Sequence, residues 1–121
     1  MNRGRRALMV LWFFLIAAVT VLSLLPASVV PRAPGGGTLE HLSAYLALAL
    51  IPAVAIRRVY SVFAVVVLVA CLGVLLEVLQ IAVPGRAFEW ADIMMNSVGV
   101  TAGVLAGLPL RLRSAHRISS G

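Results

Sequence analysis

The 121-residue chain has no lysine, one cysteine and only four acidic residues, and charged side chains make up 12% of it. Each scarcity excludes a class of protein. A lone cysteine, Cys71, cannot close an internal disulfide, so this is not a stapled secreted miniprotein. Low charge beside an apolar fraction of 62% is the reverse of a disordered composition. Soluble domains average roughly 45–50% apolar. A soluble domain of this size leaves much of its surface in water, and it could not hide so much more hydrocarbon. The composition calls for lipid as solvent.

The net charge of +6 is carried entirely by arginine. These arginines do not form a basic helix face or alternate with aromatics, as a nucleic-acid surface requires, so no nucleic-acid partner is expected. They punctuate the gaps between apolar runs instead. The runs predict an all-α integral membrane bundle of four transmembrane helices, at about 7–25, 39–56, 59–83 and 88–110. Residues 1–6 and 111–121 flank it, the latter as a loose polar tail. A basic start before an apolar run also opens signal peptides. Their apolar region spans only ~7–15 residues and ends at a small-residue cleavage site. The longer run here, with no A-x-A after it, predicts a retained first span.

Pro26, Pro31, Pro34 and Gly35–Gly37 read as the first loop, and Pro84-Gly85 as a tight turn. Thr38 is the expected cap of the second span, with Glu40 in its first turn. Pro52 is a candidate kink in that span, and Cys71 is expected to pack within the bundle. Arginine bias gives orientation. Arg3, Arg5, Arg6, Arg57, Arg58, Arg111, Arg113 and Arg117 share one side, whereas Arg32 and Arg86 fall on the other with all four acids. Both termini are therefore expected in the cytoplasm.

Three spans carry polar groups toward the outward end. His41 and Tyr45 lie four residues apart, on one face of the second span. Gly73, Glu77 and Gln80 form a stripe on the third, and Asp92, Asn96, Gly99, Gly103 and Gly107 form one on the fourth. Arg86 and Glu89 sit at the turn between those two spans. A carboxylate or arginine facing lipid at mid-membrane costs about 2.5–3.5 kcal/mol. The stripes are therefore expected to face one another. The glycines admit close approach of a neighbouring helix.

Two readings of this cluster compete. Amides and hydroxyls suffice to glue helices. Several carboxylates together with a histidine and an arginine exceed that need and point to a functional site. In that reading His41, Glu77 and Asp92 are the candidate catalytic groups, and Tyr45, Gln80, Arg86, Glu89 and Asn96 are the candidate ligand contacts. A proton- or cation-coupled transporter ranks lower, because the other halves of the spans are almost wholly apolar. No cofactor is expected, since Gly35–Gly37 lacks the lysine and hydroxyl of a phosphate loop. His41, Glu77 and Asp92 are of types that bind Zn²⁺ or Mn²⁺, but a single histidine with no His-x-x-x-His or cysteine pairing leaves no metal assigned.

The pattern Glu77-x-x-Gln80, Pro84-Gly85-Arg86-x-Phe88-Glu89-x-x-Asp92 and Asn96-x-x-Gly99 resembles the signature of VanZ-like membrane proteins. His41-x-x-x-Tyr45 and the Leu22–Pro26 ending of the first span also match it. Where family members often carry an Asp-Lys pair ahead of the histidine, this chain has Gly37-Thr38, with Glu40 the nearest acid. The family takes its name from a protein linked to teicoplanin resistance. The resemblance thus implies a multi-pass protein of the bacterial plasma membrane acting at the cell envelope. The partners it implies are the lipid bilayer and a lipid-linked or cell-wall ligand, with a contribution to glycopeptide resistance. It implies a site without implying a reaction.

Overall fold

The computed structural model describes residues 1–30 and 36–119. Arg32, assigned to the first loop with Pro31, Pro34 and Gly35, lies outside the described residues. Four helices follow one another: α1 (Arg3–Leu24), α2 (Gly36–Ala55), α3 (Val59–Gln80) and α4 (Trp90–Ser119). Each is long and apolar enough to cross a membrane.

The helix ends differ from expectation in ways the backbone explains. α1 starts early because the Asn2 side chain accepts a hydrogen bond from Arg5 N at 3.0 Å, an N-cap. α2 begins at Gly36, so Thr38 is inside the helix rather than its cap, and no acid occupies the first turn. Glycine weakens a helix by about 1 kcal/mol relative to alanine but does not forbid one. α3 stops at Gln80, short of residue 83, where the chain tightens into i→i+3 bonds from Ile81, Ala82 and Val83. The turn that follows needs Gly85, whose φ is +73°, in the left-handed region. α4 runs through Pro109 to Ser119, so the expected loose tail is helical over most of its length. Arg111 Nη1 ties that stretch to α2 by donating to the Ile56 carbonyl at 2.9 Å.

α2 and α4 form the central pair. Gly99, Gly103 and Gly107 lie directly against α2: an added Cβ would meet the Leu42 carbonyl at 2.6 Å from Gly99 and the Ala53 Cβ at 2.5 Å from Gly107. Backbone therefore touches backbone along three turns. α3 packs on this pair through Val62, Val69, Gly73 and Leu76, all buried. α1 lies outside, with Trp12 its one buried residue among those described. Phe13, Phe14, Leu68 and Leu105 are mostly exposed, an apolar surface suited to lipid. Cys71 belongs to that surface; it is exposed and not packed inside. Ser97 and Thr101, also exposed, return their hydroxyls to the carbonyls of Ile93 and Ser97, each at 2.9 Å.

Proline decides where α1 attaches. Pro52 has no N–H to offer the Leu48 carbonyl four residues earlier. The Trp12 indole takes that vacancy, donating from Nε1 to the Leu48 oxygen at 2.8 Å in a buried setting. The sequence suggests Pro52 as a kink; its visible role is to free an acceptor.

Candidate functional site

α2 starts, α3 ends and α4 starts at one end of the bundle, which brings three distant stretches of chain together. His41 Nε2 lies 3.2 Å from Asp92 Oδ2 and 3.8 Å from Glu77 Oε1. Its other ring nitrogen, Nδ1, is 2.8 Å from Asn96 Oδ1. An amide oxygen only accepts, so Nδ1 is the donor of that bond. The carboxylates are almost wholly enclosed, Glu77 at 1% and Asp92 at 3% exposure. Such groups persist inside a protein only when paired or coordinated. Asp92, in the first turn of α4, also benefits from the helix dipole.

Tyr45 lines the back of the site. Its ring lies within 10° of parallel to His41 at a centroid distance of 6.5 Å. It fits because two neighbours lack side chains: a Cβ at Gly73 would come within 2.9 Å of the Tyr45 ring and 3.1 Å of Asn96 Nδ2, and one at Gly99 would touch Tyr45 Cβ at 3.3 Å. Thus Gly73, placed in the polar stripe by spacing, shapes the pocket by leaving room.

The remaining predicted residues do different work. Gln80 Nε2 donates to the Ser23 carbonyl at 3.1 Å. Arg86 donates from Nε to Leu25 O at 3.1 Å and from Nη2 to Leu22 O at 2.9 Å. These oxygens are the last carbonyls of α1, and Pro26 has no N–H for that of Leu22. Ala27 N donates to Pro84 O at 3.3 Å beside them. The Leu22–Pro26 ending, Gln80 and Arg86 are therefore parts of one helix cap. The Glu89 side chain is exposed; its backbone N–H approaches Glu77 Oε2 at 3.4 Å.

Between α1 and α2 a cavity of about 370 Å³ opens onto this cluster. Leu15, Ala18, Val19, Leu22 and Ala44 give it apolar walls, and Glu40, His41, Tyr45 and Arg86 give it a polar end. It lies where α1 stands away from α2, beyond the Trp12 anchor. Sequence reading did not single out Trp12. The available signal was Pro52, which leaves an acceptor that some donor had to reach.

Four apolar helices, with His41, Glu77 and Asp92 gathered at one end of the bundle, define a multi-pass membrane protein. The chain belongs to the VanZ/LLP1 family, whose model matches residues 6–111. That span takes in the helical core, the Leu22–Pro26 cap and the whole cluster. No curated protein and no solved structure matches the chain.

Proposed function

We propose that the protein binds an amphiphilic component of the bacterial cell envelope, with its polar head at the end of the α1–α2 cavity lined by His41, Tyr45 and Arg86 and its apolar part along the cavity walls. In this reading the pocket opens at the outward leaflet and the termini are cytoplasmic, in keeping with the arginine bias. One observation carries the proposal: a cavity with apolar walls from two helices ends on His41. Pockets of this kind, mostly apolar with a few convergent polar groups, are typical of small-molecule sites. A contribution to glycopeptide tolerance follows if that component is a lipid-linked wall precursor or its carrier.

The gluing interpretation is supported most directly at Gln80 and Arg86, both engaged on α1 carbonyls. Their substitution should lower protein level and activity together. His41, Glu77 and Asp92 should behave differently.

The test uses phosphatidylglycerol and polyprenyl phosphate carrying a diazirine in the acyl chain, reconstituted with the purified protein. Crosslinks should concentrate at Leu15 and Val19, and Ala44→Trp, which fills the cavity, should suppress them. In a glycopeptide-susceptible bacterium, expression should raise teicoplanin tolerance. Glu77→Gln and Asp92→Asn should abolish the rise at unchanged protein level, whereas Gln80→Leu should reduce both. Crosslinking spread evenly along α1 and indifferent to Ala44→Trp overturns the proposal.

A further inference from the structure

We infer that His41, Glu77 and Asp92 form a binding site for one divalent transition-metal ion, Zn²⁺ or Mn²⁺, at the polar end of the α1–α2 cavity. The inference rests on reading this cluster as a ligand site, and it gives that site its chemistry.

The donor set suits such an ion. One imidazole nitrogen with two carboxylate oxygens is a mixture taken by zinc and by manganese. The three ligand atoms come from three helices and all lie within 4.8 Å of one another. Bonds of about 2.0–2.2 Å would hold neighbouring ligand atoms roughly 2.8–3.6 Å apart. The Nε2–Asp92 distance of 3.2 Å is inside that interval and the Nε2–Glu77 distance of 3.8 Å just beyond it. The two carboxylates lie within 4.8 Å of each other, so binding an ion requires them to draw in toward it.

A second, independent feature is Asn96. It is 4% exposed, on the next turn of α4 after Asp92. Its oxygen engages His41 Nδ1 at 2.8 Å, while its own amide nitrogen is buried without a hydrogen-bond partner. Leaving a buried donor unsatisfied costs about 1–3 kcal/mol. The orientation that carries this cost gives His41 Nδ1 its acceptor and leaves Nε2 facing the two carboxylates. One imidazole nitrogen and two carboxylate oxygens then converge on one point, an arrangement that a cation stabilises. A metal-bound histidine almost always donates its other N–H to an oxygen acceptor, and Asn96 is that acceptor here. His41 also lines the cavity. An ion held by three protein ligands keeps coordination positions open to water or to an anionic headgroup.

Metal motifs on a single helix put ligands four residues apart, whereas here each helix supplies one.

The test uses full-length protein, freed of any histidine tag, carrying His116→Ala, purified in detergent and passed over chelating resin. Loaded separately with Zn²⁺ and with Mn²⁺, it should retain one equivalent of ion per chain by elemental analysis. Asp92→Asn and His41→Gln should abolish retention. Asn96→Ala should weaken affinity by about 10–100-fold, the usual effect of losing an outer partner. Gln80→Leu should leave it unchanged. The Mn²⁺ form should show a directly coupled imidazole nitrogen by pulsed electron paramagnetic resonance, a signature that does not depend on any site variant folding. Folded protein that retains neither ion, or Mn²⁺ without a nitrogen coupling, overturns the inference. Diazirine-lipid crosslinking separates the two proposals: crosslinks kept without metal sink only the ion, and metal kept without crosslinks sinks only the amphiphile.

Discussion

α4 and α1 both pack against α2, by opposite means. α4 is held by shape: three glycines let its backbone lie on that of α2, leaving no room between them. α1 is held more loosely: Met9, Leu15, Ile16 and Val19 pack partly against the core, Trp12 reaches the Leu48 carbonyl of α2, and Gln80 and Arg86, at the end of α3 and beyond it, hold its last carbonyls. Between those contacts lies the cavity. In lipid, where apolar contact with another helix gains little over contact with acyl chains, close packing and hydrogen bonds are the available means of association. The glycine seam makes a rigid platform for His41 and Asp92. The looser attachment leaves a cavity whose polar end includes His41.

The sharpest way to break this contrast is to fill the seam. A Cβ at Gly103 would collide with the Leu46 carbonyl and come within 2.9 Å of Leu50 N, both main-chain atoms that no rotamer change can move. Overpacking typically costs 1–3 kcal/mol where side chains can yield. Gly103→Val should therefore cost about 3 kcal/mol or more, and little folded protein should accumulate. An unfolding midpoint in detergent equal to that of the wild type would show that α2 and α4 are not locked together by their backbones.

The next effect probes the middle anchor of α1. Trp12→Phe keeps an aromatic ring but leaves the buried Leu48 carbonyl without its donor, at a cost of about 1–3 kcal/mol. Pro52→Ala would supply a backbone N–H to the same carbonyl. The two changes should therefore be coupled: in the Pro52→Ala background, Trp12→Phe should cost at least ~1 kcal/mol less than it does alone. Unfolding free energies of the four proteins in this double-mutant cycle give the coupling, and additive effects would separate the indole bond from the proline.

What was legible in the sequence divides along the same line. Span number, the glycine seam and the convergence of His41, Glu77, Asp92 and Asn96 follow from helical periodicity, which sets which residues share a face. Helix ends were less legible, because glycine at Gly36 biases a helix without ending it and the arginine-rich stretch from Arg111 continues the helix past the apolar run. Roles within the polar cluster were hidden for a further reason. Residue type marks Gln80 and Arg86 as polar, but whether they serve a ligand or a carbonyl depends on where α1 ends in space. Pro26 was the clue, since it leaves an acceptor at Leu22 that Arg86 fills.

The smallest expected effect sharpens the comparison within a single helix. Cys71 and Gly73 are two residues apart on α3, so they face different ways. Cys71 is exposed on the apolar surface, and a leucine there exchanges one lipid-facing side chain for another. Cys71→Leu should change stability by no more than ~0.5 kcal/mol, the usual range for surface positions. Gly73→Ala adds one methyl group and should cost more, because that carbon would stand 2.9 Å from the Tyr45 ring and 3.1 Å from Asn96 Nδ2. Its effect should also reach the site, since moving Asn96 disturbs the group that orients His41. Unfolding midpoints of the two variants in one detergent measure the contrast. Equal shifts would mean that α3 does not present Gly73 to the cluster and Cys71 to lipid.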